Sequence, residues 1–175
     1  MSRLPIFVLN NFYRPTKKEK ESLIKQIEKP KNKFNDNDFG AHNVEFKNNK
    51  FNKKMYLKFL KVCKQILQPF TLHKNNNTKS FVYCINKFDH NHVWHNHSKT
   101  CTINSVYYLK VPKTKGNQLD MEYNCNRFDF FPKENDFIIF PSYINHAPKK
   151  PESDEYRISI NFELLCNEPA EKIFI

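Results

Sequence analysis

Trp94-His95-Asn96-His97 opens the stretch on which the reading of this chain turns. The stretch runs on through Ser105-Val106-Tyr107-Tyr108-Leu109 and reaches Phe137-Ile138-Ile139-Phe140-Pro141 and then His146. It closes on Tyr156-Arg157-Ile158-Ser159-Ile160-Asn161. In a strand, residues i and i+2 point to the same face. His95 and His97, placed at a strand end, therefore project together into one cavity. His146 follows an apolar run that reads as a buried strand, and Arg157 and Ser159 share a face on a later one. Imidazole is the commonest metal-ligating side chain. Two candidate ligands thus sit on one strand, a third lies well along the chain, and a cation stands beyond it.

Working outward, the segments around this stretch read as short strands: residues 80–86, 105–111, 119–123, 127–131, 137–140 and 156–165, with 70–73 ahead of a polar turn at 74–79. Short strands punctuated by Pro and Asn imply a sandwich or barrel. No strand–helix–strand alternation and no internal repeat is present. Before Pro69 the period changes. Met55, Tyr56, Phe59, Leu60, Cys63, Ile66 and Leu67 recur at helical spacing, which predicts a helix over residues 53–67 with Lys58, Lys61 and Lys64 on its other face. Residues 31–51 read as a long loop with a short strand near 44–46. Thr16 and Glu19 fit a capping box for an earlier helix that runs to about residue 28, buries Leu23, Ile24 and Ile27, and is stopped by Pro30. Residues 4–9 read as a first strand, and the tail after Asn167 as surface.

A chain of 175 residues with 39% hydrophobic side chains has enough material for a core. It reads as one domain: a helical, basic support over 1–70, a strand-built core over 71–166 and a tail over 167–175. The 17 Phe mean that the core leans on rings. Five scattered Cys without a C-x-x-C pair argue for reduced thiols rather than a disulfide framework. With no signal-like run and no long apolar span, the expectation is a soluble cytoplasmic protein, in the host cytoplasm if viral, without membrane contact. Residues 1–80 hold 18 Lys and Arg against 6 Asp and Glu, so all the excess charge of +11 lies ahead of the strand-rich part. That surface suits nucleic acid or an acidic partner. Solvated lysines on helix faces are the plainer reading.

At these residues the sequence resembles the iron(II)- and 2-oxoglutarate-dependent oxygenases, most nearly the small bacterial, phage and viral members related to prolyl hydroxylases. The matching residues are His95-Asn96-His97, Val106-Tyr107-Tyr108-Leu109, Pro112, Gly116 to Leu119, Phe140-Pro141-Ser142 to His146, and Arg157-Ile158-Ser159-Ile160-Asn161-Phe162. The resemblance implies a mainly β fold with N-terminal helices (α+β), built on a double-stranded β-helix, the cupin-like jelly-roll barrel. It implies that His95, His97 and His146 hold Fe(II), and that Arg157, with Ser159, takes the distal carboxylate of 2-oxoglutarate. Tyr108, and after it Tyr83, are the tyrosines placed to bind that co-substrate. The implied reaction uses dioxygen, with ascorbate as a reductant, to decarboxylate 2-oxoglutarate to succinate and hydroxylate a C–H bond. A protein or peptide substrate ranks ahead of nucleic acid.

One departure stands out. The family's second position is usually Asp or Glu, and here it is His97. Three imidazoles carry one negative charge fewer and also suit zinc, copper or nickel. Asp120 and Glu122 are carboxylates that could reach the metal from a neighbouring strand. His90 and His92 precede the matched segment and read as surface residues, and Trp94 as packing beside the metal. Two other readings stay open: a cupin-like metal protein that does not use 2-oxoglutarate, and a non-catalytic binding module.

Overall fold

The computed structural model describes residues 4–28, 42–89 and 93–175. In chain order the elements are β1 (Phe7–Leu9), α1 (Lys17–Glu28), β2 (His42–Glu45), α2 (Asn49–Ile66), β3 (Ser80–Ile85), β4 (Ile103–Lys110), β5 (Leu119–Tyr123), β6 (Asn126–Phe130), β7 (Phe137–Pro141), β8 (Asn145–Pro148), β9 (Arg157–Leu164) and α3 (Ala170–Ile173). They form a six-stranded sheet in the order β1-β7-β4-β9-β3-β2 and a three-stranded sheet in the order β6-β5-β8. Every pairing is antiparallel.

Alternation along the central strands divides the interior into two layers. On β4 and β7, Tyr107, Leu109, Phe137 and Ile139 face the helices, where they meet Leu23 and Ile27 of α1 and Met55, Phe59 and Cys63 of α2. Tyr108, Ile138 and Phe140 face the other way and meet Leu119 and Met121 of the smaller sheet. Helices therefore cover one face of the large sheet and the small sheet lies against the other. Phe12 stacks on Phe137 with centroids 4.3 Å apart, an offset geometry that aromatic pairs favour.

The helix ends follow local chemistry. Thr16 accepts the Glu19 amide at 3.2 Å, but the expected capping box is only half made, because Glu19 instead accepts the Tyr13 hydroxyl at 2.6 Å. α2 starts earlier than residue 53 because Asn48 caps it, accepting the Phe51 amide at 3.0 Å. Residues 70–73 were expected to form a strand and make only an isolated bridge, Leu72 to Cys166. The tail expected at the surface turns back as α3 and buries Ala170 and Ile173, with Gln68 N–H donating to the Ile173 carbonyl at 3.0 Å. None of the five Cys is in a disulfide; four are buried and Cys125 is exposed. Among the described residues, no helix is long and apolar enough to cross a membrane.

Candidate active site

β9 carries the site because its sequence alternates without a break: Arg157-Ile158-Ser159-Ile160-Asn161-Phe162-Glu163-Leu164. Ile158, Ile160, Phe162 and Leu164 pack into the helix-side core. Arg157, Ser159, Asn161 and Glu163 line the wall of a cavity of about 540 Å³. Register extends this wall sideways. Ser159 lies between Tyr83 on β3 and Tyr108 on β4, and all three line the cavity. Arg157 and Glu163 are six residues apart, about 20 Å along an extended strand, so cation and carboxylate mark its two ends.

At the Glu163 end three imidazoles meet. β8, an element the sequence reading did not separate, brings in His146. His95 pairs with it in an isolated bridge, each backbone N–H donating to the other's carbonyl, at 3.1 and 2.9 Å. His97 is fixed by its N–H to the Ser142 carbonyl at 2.9 Å. Ring centroids lie 5.3 Å apart for His95–His97, 4.3 Å for His95–His146 and 5.2 Å for His97–His146. One ligand nitrogen from each lies within 4.8 Å of the other two.

The tautomers suit a metal. Nδ1 of His95 lies 3.1 Å from the Val93 carbonyl, Nδ1 of His146 lies 3.1 Å from the Ile144 carbonyl, and Nδ1 of His97 lies 2.7 Å from Oε1 of Glu163. A carbonyl can only accept, so Nδ1 carries the proton in His95 and His146, and a carboxylate acceptor asks the same of His97. That leaves Nε2 as the lone-pair nitrogen of each ring, the arrangement in which outer hydrogen bonds orient metal-binding histidines. Three such donors fit a divalent transition metal.

Arg157 occupies the opposite end at 1% exposure. Its Nη1 donates to the Asn117 carbonyl at 2.7 Å and, more weakly, to the Gln118 carbonyl at 3.4 Å. Its Nε is buried without an acceptor, and among the described residues no carboxylate pairs with it. Asp154 and Glu155, the possible structural partners, pair with Lys87 and Lys110 instead. Burial pulls the guanidinium below its ordinary value. An anion in the cavity would relieve that penalty. The same burial pushes the Tyr83 and Tyr108 phenols well above their usual range, against a smaller opposing pull from Arg157, so both remain neutral donors. The Ser159 hydroxyl lies at a long 3.5 Å from the Tyr83 carbonyl. A carboxylate-bearing co-substrate fits these residues.

The seven site residues expected from the sequence, Tyr83, His95, His97, Tyr108, His146, Arg157 and Ser159, all line this one cavity. Three other residues singled out from the sequence stand outside it. Asp120 does not line the cavity; it pairs with Lys149 at 3.1 Å. Nor does Glu122, which pairs with Arg127 at 2.9 Å on the exposed hairpin. Trp94 is 40% exposed and does not line the cavity; the Arg127 guanidinium lies over its ring, 5.2 Å from the centroid. His90 and His92 lie outside the described residues. The sequence reading missed Glu163, although it continues the i, i+2 series from Arg157. It also missed the carbonyls of Asn117 and Gln118, which no side-chain pattern announces.

Comparison with solved structures bears on the fold: the chain has the fold seen in prolyl hydroxylases and in a non-haem alpha-ketoglutarate-dependent carbocyclase. A prolyl-4-hydroxylase from Pseudomonas putida is similar at 12% identity and a TM-score of 0.67, over 94% of each chain. A prolyl hydroxylase from Trichoplax adhaerens, solved with a peptide fragment of the hypoxia inducible factor oxygen degradation domain, is similar at 14% identity and a TM-score of 0.70, over 92% of this chain and 83% of its own. A viral collagen prolyl hydroxylase from Paramecium bursaria Chlorella virus-1, solved with 2-oxoglutarate, is similar at 16% identity and a TM-score of 0.59, over 89% and 93%. At such identities the likeness is one of fold. No protein-family model and no curated protein matches the sequence.

Proposed function

We propose that the chain is a single-domain 2-oxoglutarate-dependent oxygenase that hydroxylates a C–H bond, and that its two sheets are the walls of a double-stranded β-helix. The observation that carries this reading is Arg157: a buried guanidinium on a cavity wall, with no carboxylate of its own among the described residues and three metal-competent imidazoles at the other end. A five-carbon diacid with a keto group suits both ends. Its distal carboxylate would take Arg157, a planar fork matched to carboxylate geometry, and its keto-acid end would face the histidines.

His95, His97 and His146 would hold iron(II) on one side and leave the cavity side for co-substrate and dioxygen. When bound, iron supplies the dioxygen chemistry that converts 2-oxoglutarate, dioxygen and a C–H bond into succinate, carbon dioxide and an alcohol. The chain's own part is positional. Arg157 and the neutral Tyr108 and Tyr83 hydroxyls bind and orient the diacid. The apolar side chains of Phe81 and Val106 on the same wall, and of Leu119 on the smaller sheet, keep water from its carbon chain. A peptide substrate, prolyl by analogy, draws support from the Trichoplax enzyme solved with a peptide fragment. Nucleic acid draws none, and Lys20, Lys54 and Lys58 of the basic half engage Glu134, the Tyr13 hydroxyl and the Phe12 carbonyl within the fold.

The test is uncoupled turnover. Protein incubated with iron(II), ascorbate, dioxygen and 2-oxoglutarate, without further substrate, is expected to form succinate above the protein-free background. Metal binding with no 2-oxoglutarate consumption would favour a cupin-like metal protein, and neither would leave a binding module.

A further inference from the structure

His97 is unlike its two neighbours in one respect. The Nδ1 of His95 and of His146 each face a neutral backbone carbonyl, whereas that of His97 faces a carboxylate oxygen, Oε1 of Glu163, at 2.7 Å. Both side chains of this pair are largely withdrawn from solvent, at 21% and 18% exposure. Among the described residues no Lys or Arg pairs with Glu163, and the His97 ring is the side chain that its carboxylate meets. Glu163 sits on the cavity wall, held there by the alternation of β9, which sends Phe162 and Leu164 to the opposite core.

We propose that Glu163 is a positioning residue that returns to the metal centre, through the His97 ring, the negative charge that a third imidazole leaves out. A carboxylate on Nδ1–H fixes the ring's tautomer and makes Nε2 a stronger donor. His97 and Glu163 together then act as the anionic member of the ligand set, one ring further from the ion than a directly bound carboxylate. The charge matters because a set of neutral imidazoles discriminates poorly among divalent transition metals, whereas added negative charge strengthens the electrostatic binding of a divalent cation. This inference rests on the three-histidine centre proposed above, but it does not depend on 2-oxoglutarate.

The experiment measures cobalt(II) affinity, by competition with a chromophoric chelator, together with the visible spectrum of the cobalt-loaded protein. It compares the full-length wild type, Glu163→Gln, His97→Asp and the double variant, each first shown by thermal melting and circular dichroism to be folded. Glu163→Gln keeps an acceptor oxygen beside His97 and removes only the charge. It is expected to weaken cobalt(II) binding roughly 10–100-fold, the range for loss of a partner behind a ligating histidine, and to shift the visible bands. In the His97→Asp background the same substitution is expected to cost less than twofold, because the charge then sits on the ligand itself. Affinity within twofold of wild type for Glu163→Gln would overturn the proposal, as would an equal loss in both backgrounds, and so would no cobalt(II) binding by the wild type. Should Glu163→Gln fail to fold, Glu163→Asp serves: wild-type-like spectrum and affinity intermediate between wild type and His97→Ala supports the proposal, and affinity as low as His97→Ala contradicts it. The expected coupling without any succinate formation would sink the oxygenase reading and leave the His97–Glu163 pair standing.

Discussion

Arg157 is the residue whose environment is hardest to explain without a ligand. A guanidinium that is 1% exposed forfeits most of its hydration, and two backbone carbonyls on Nη1 recover only part of it. Replacing it with Met, which preserves bulk, should raise the 2-oxoglutarate concentration for half-maximal succinate formation by roughly 10–150-fold. This corresponds to the roughly 1.5–3 kcal/mol that a hydrogen bond to a charged group contributes. Metal affinity should stay within about twofold of wild type, since Arg157 and the histidines stand at opposite ends of the cavity. Equal loss of both would contradict the assigned role. Individual residues were legible where an alternation rule applied. Alternation puts Tyr107 and Tyr108 on opposite faces and the family resemblance favours Tyr108; Tyr108 lines the cavity, while the Tyr107 hydroxyl turns to the Tyr13 carbonyl among the helices. Asp120 and Glu122 were left open as carboxylates able to reach the metal, because a sequence does not say which lysine or arginine a carboxylate will meet first; they meet Lys149 and Arg127.

At the scale of elements, the loop before β5 holds the cation in place. Gly116 sits at φ +79, and a Cβ there would lie 2.4 Å from the Lys150 carbonyl oxygen. Only glycine takes both the backbone angle and the close approach without strain. Its neighbour Asn117 offers the carbonyl that receives Arg157, and the Asn117 amide group is tied down by the Pro112 and Thr114 carbonyls, both at 2.7 Å. Gly116→Ala should cost about 1–3 kcal/mol of stability, read as a lower denaturation midpoint. It should also raise the 2-oxoglutarate requirement, because the loop cannot shift without moving the acceptor for Arg157. An unchanged requirement in a destabilised but folded protein would separate the loop from the cation. β5 and β9 were visible as strands in the sequence because their alternation is regular. β8 was not, since Asn145-His146-Ala147-Pro148 has neither length nor alternation, and it becomes a strand only by pairing with β5. The C-terminal turn was hidden for a related reason: Ala170 and Ile173 look unremarkable until α2 ends beside them.

For the molecule as a whole, the mainly β character and the helices ahead of it followed from periodicity, whereas the strand order did not. β1 pairs with β7 and β9 lies between β3 and β4, contacts between segments far apart in the chain that no local pattern encodes. That order is what carries the histidines of residues 95–97 to His146 and sets Arg157 across from them, so the site is a product of topology rather than of any one motif. The account stands on one ion held by three rings and one diacid held by Arg157. An anaerobic crystal of the protein with iron(II) and 2-oxoglutarate, with anomalous differences collected at the iron edge, examines both together. The expected map has a single iron peak within bonding distance of Nε2 of His95, His97 and His146, with the diacid's distal carboxylate on the Arg157 guanidinium. An iron peak elsewhere, or a diacid bound away from Arg157, would contradict it.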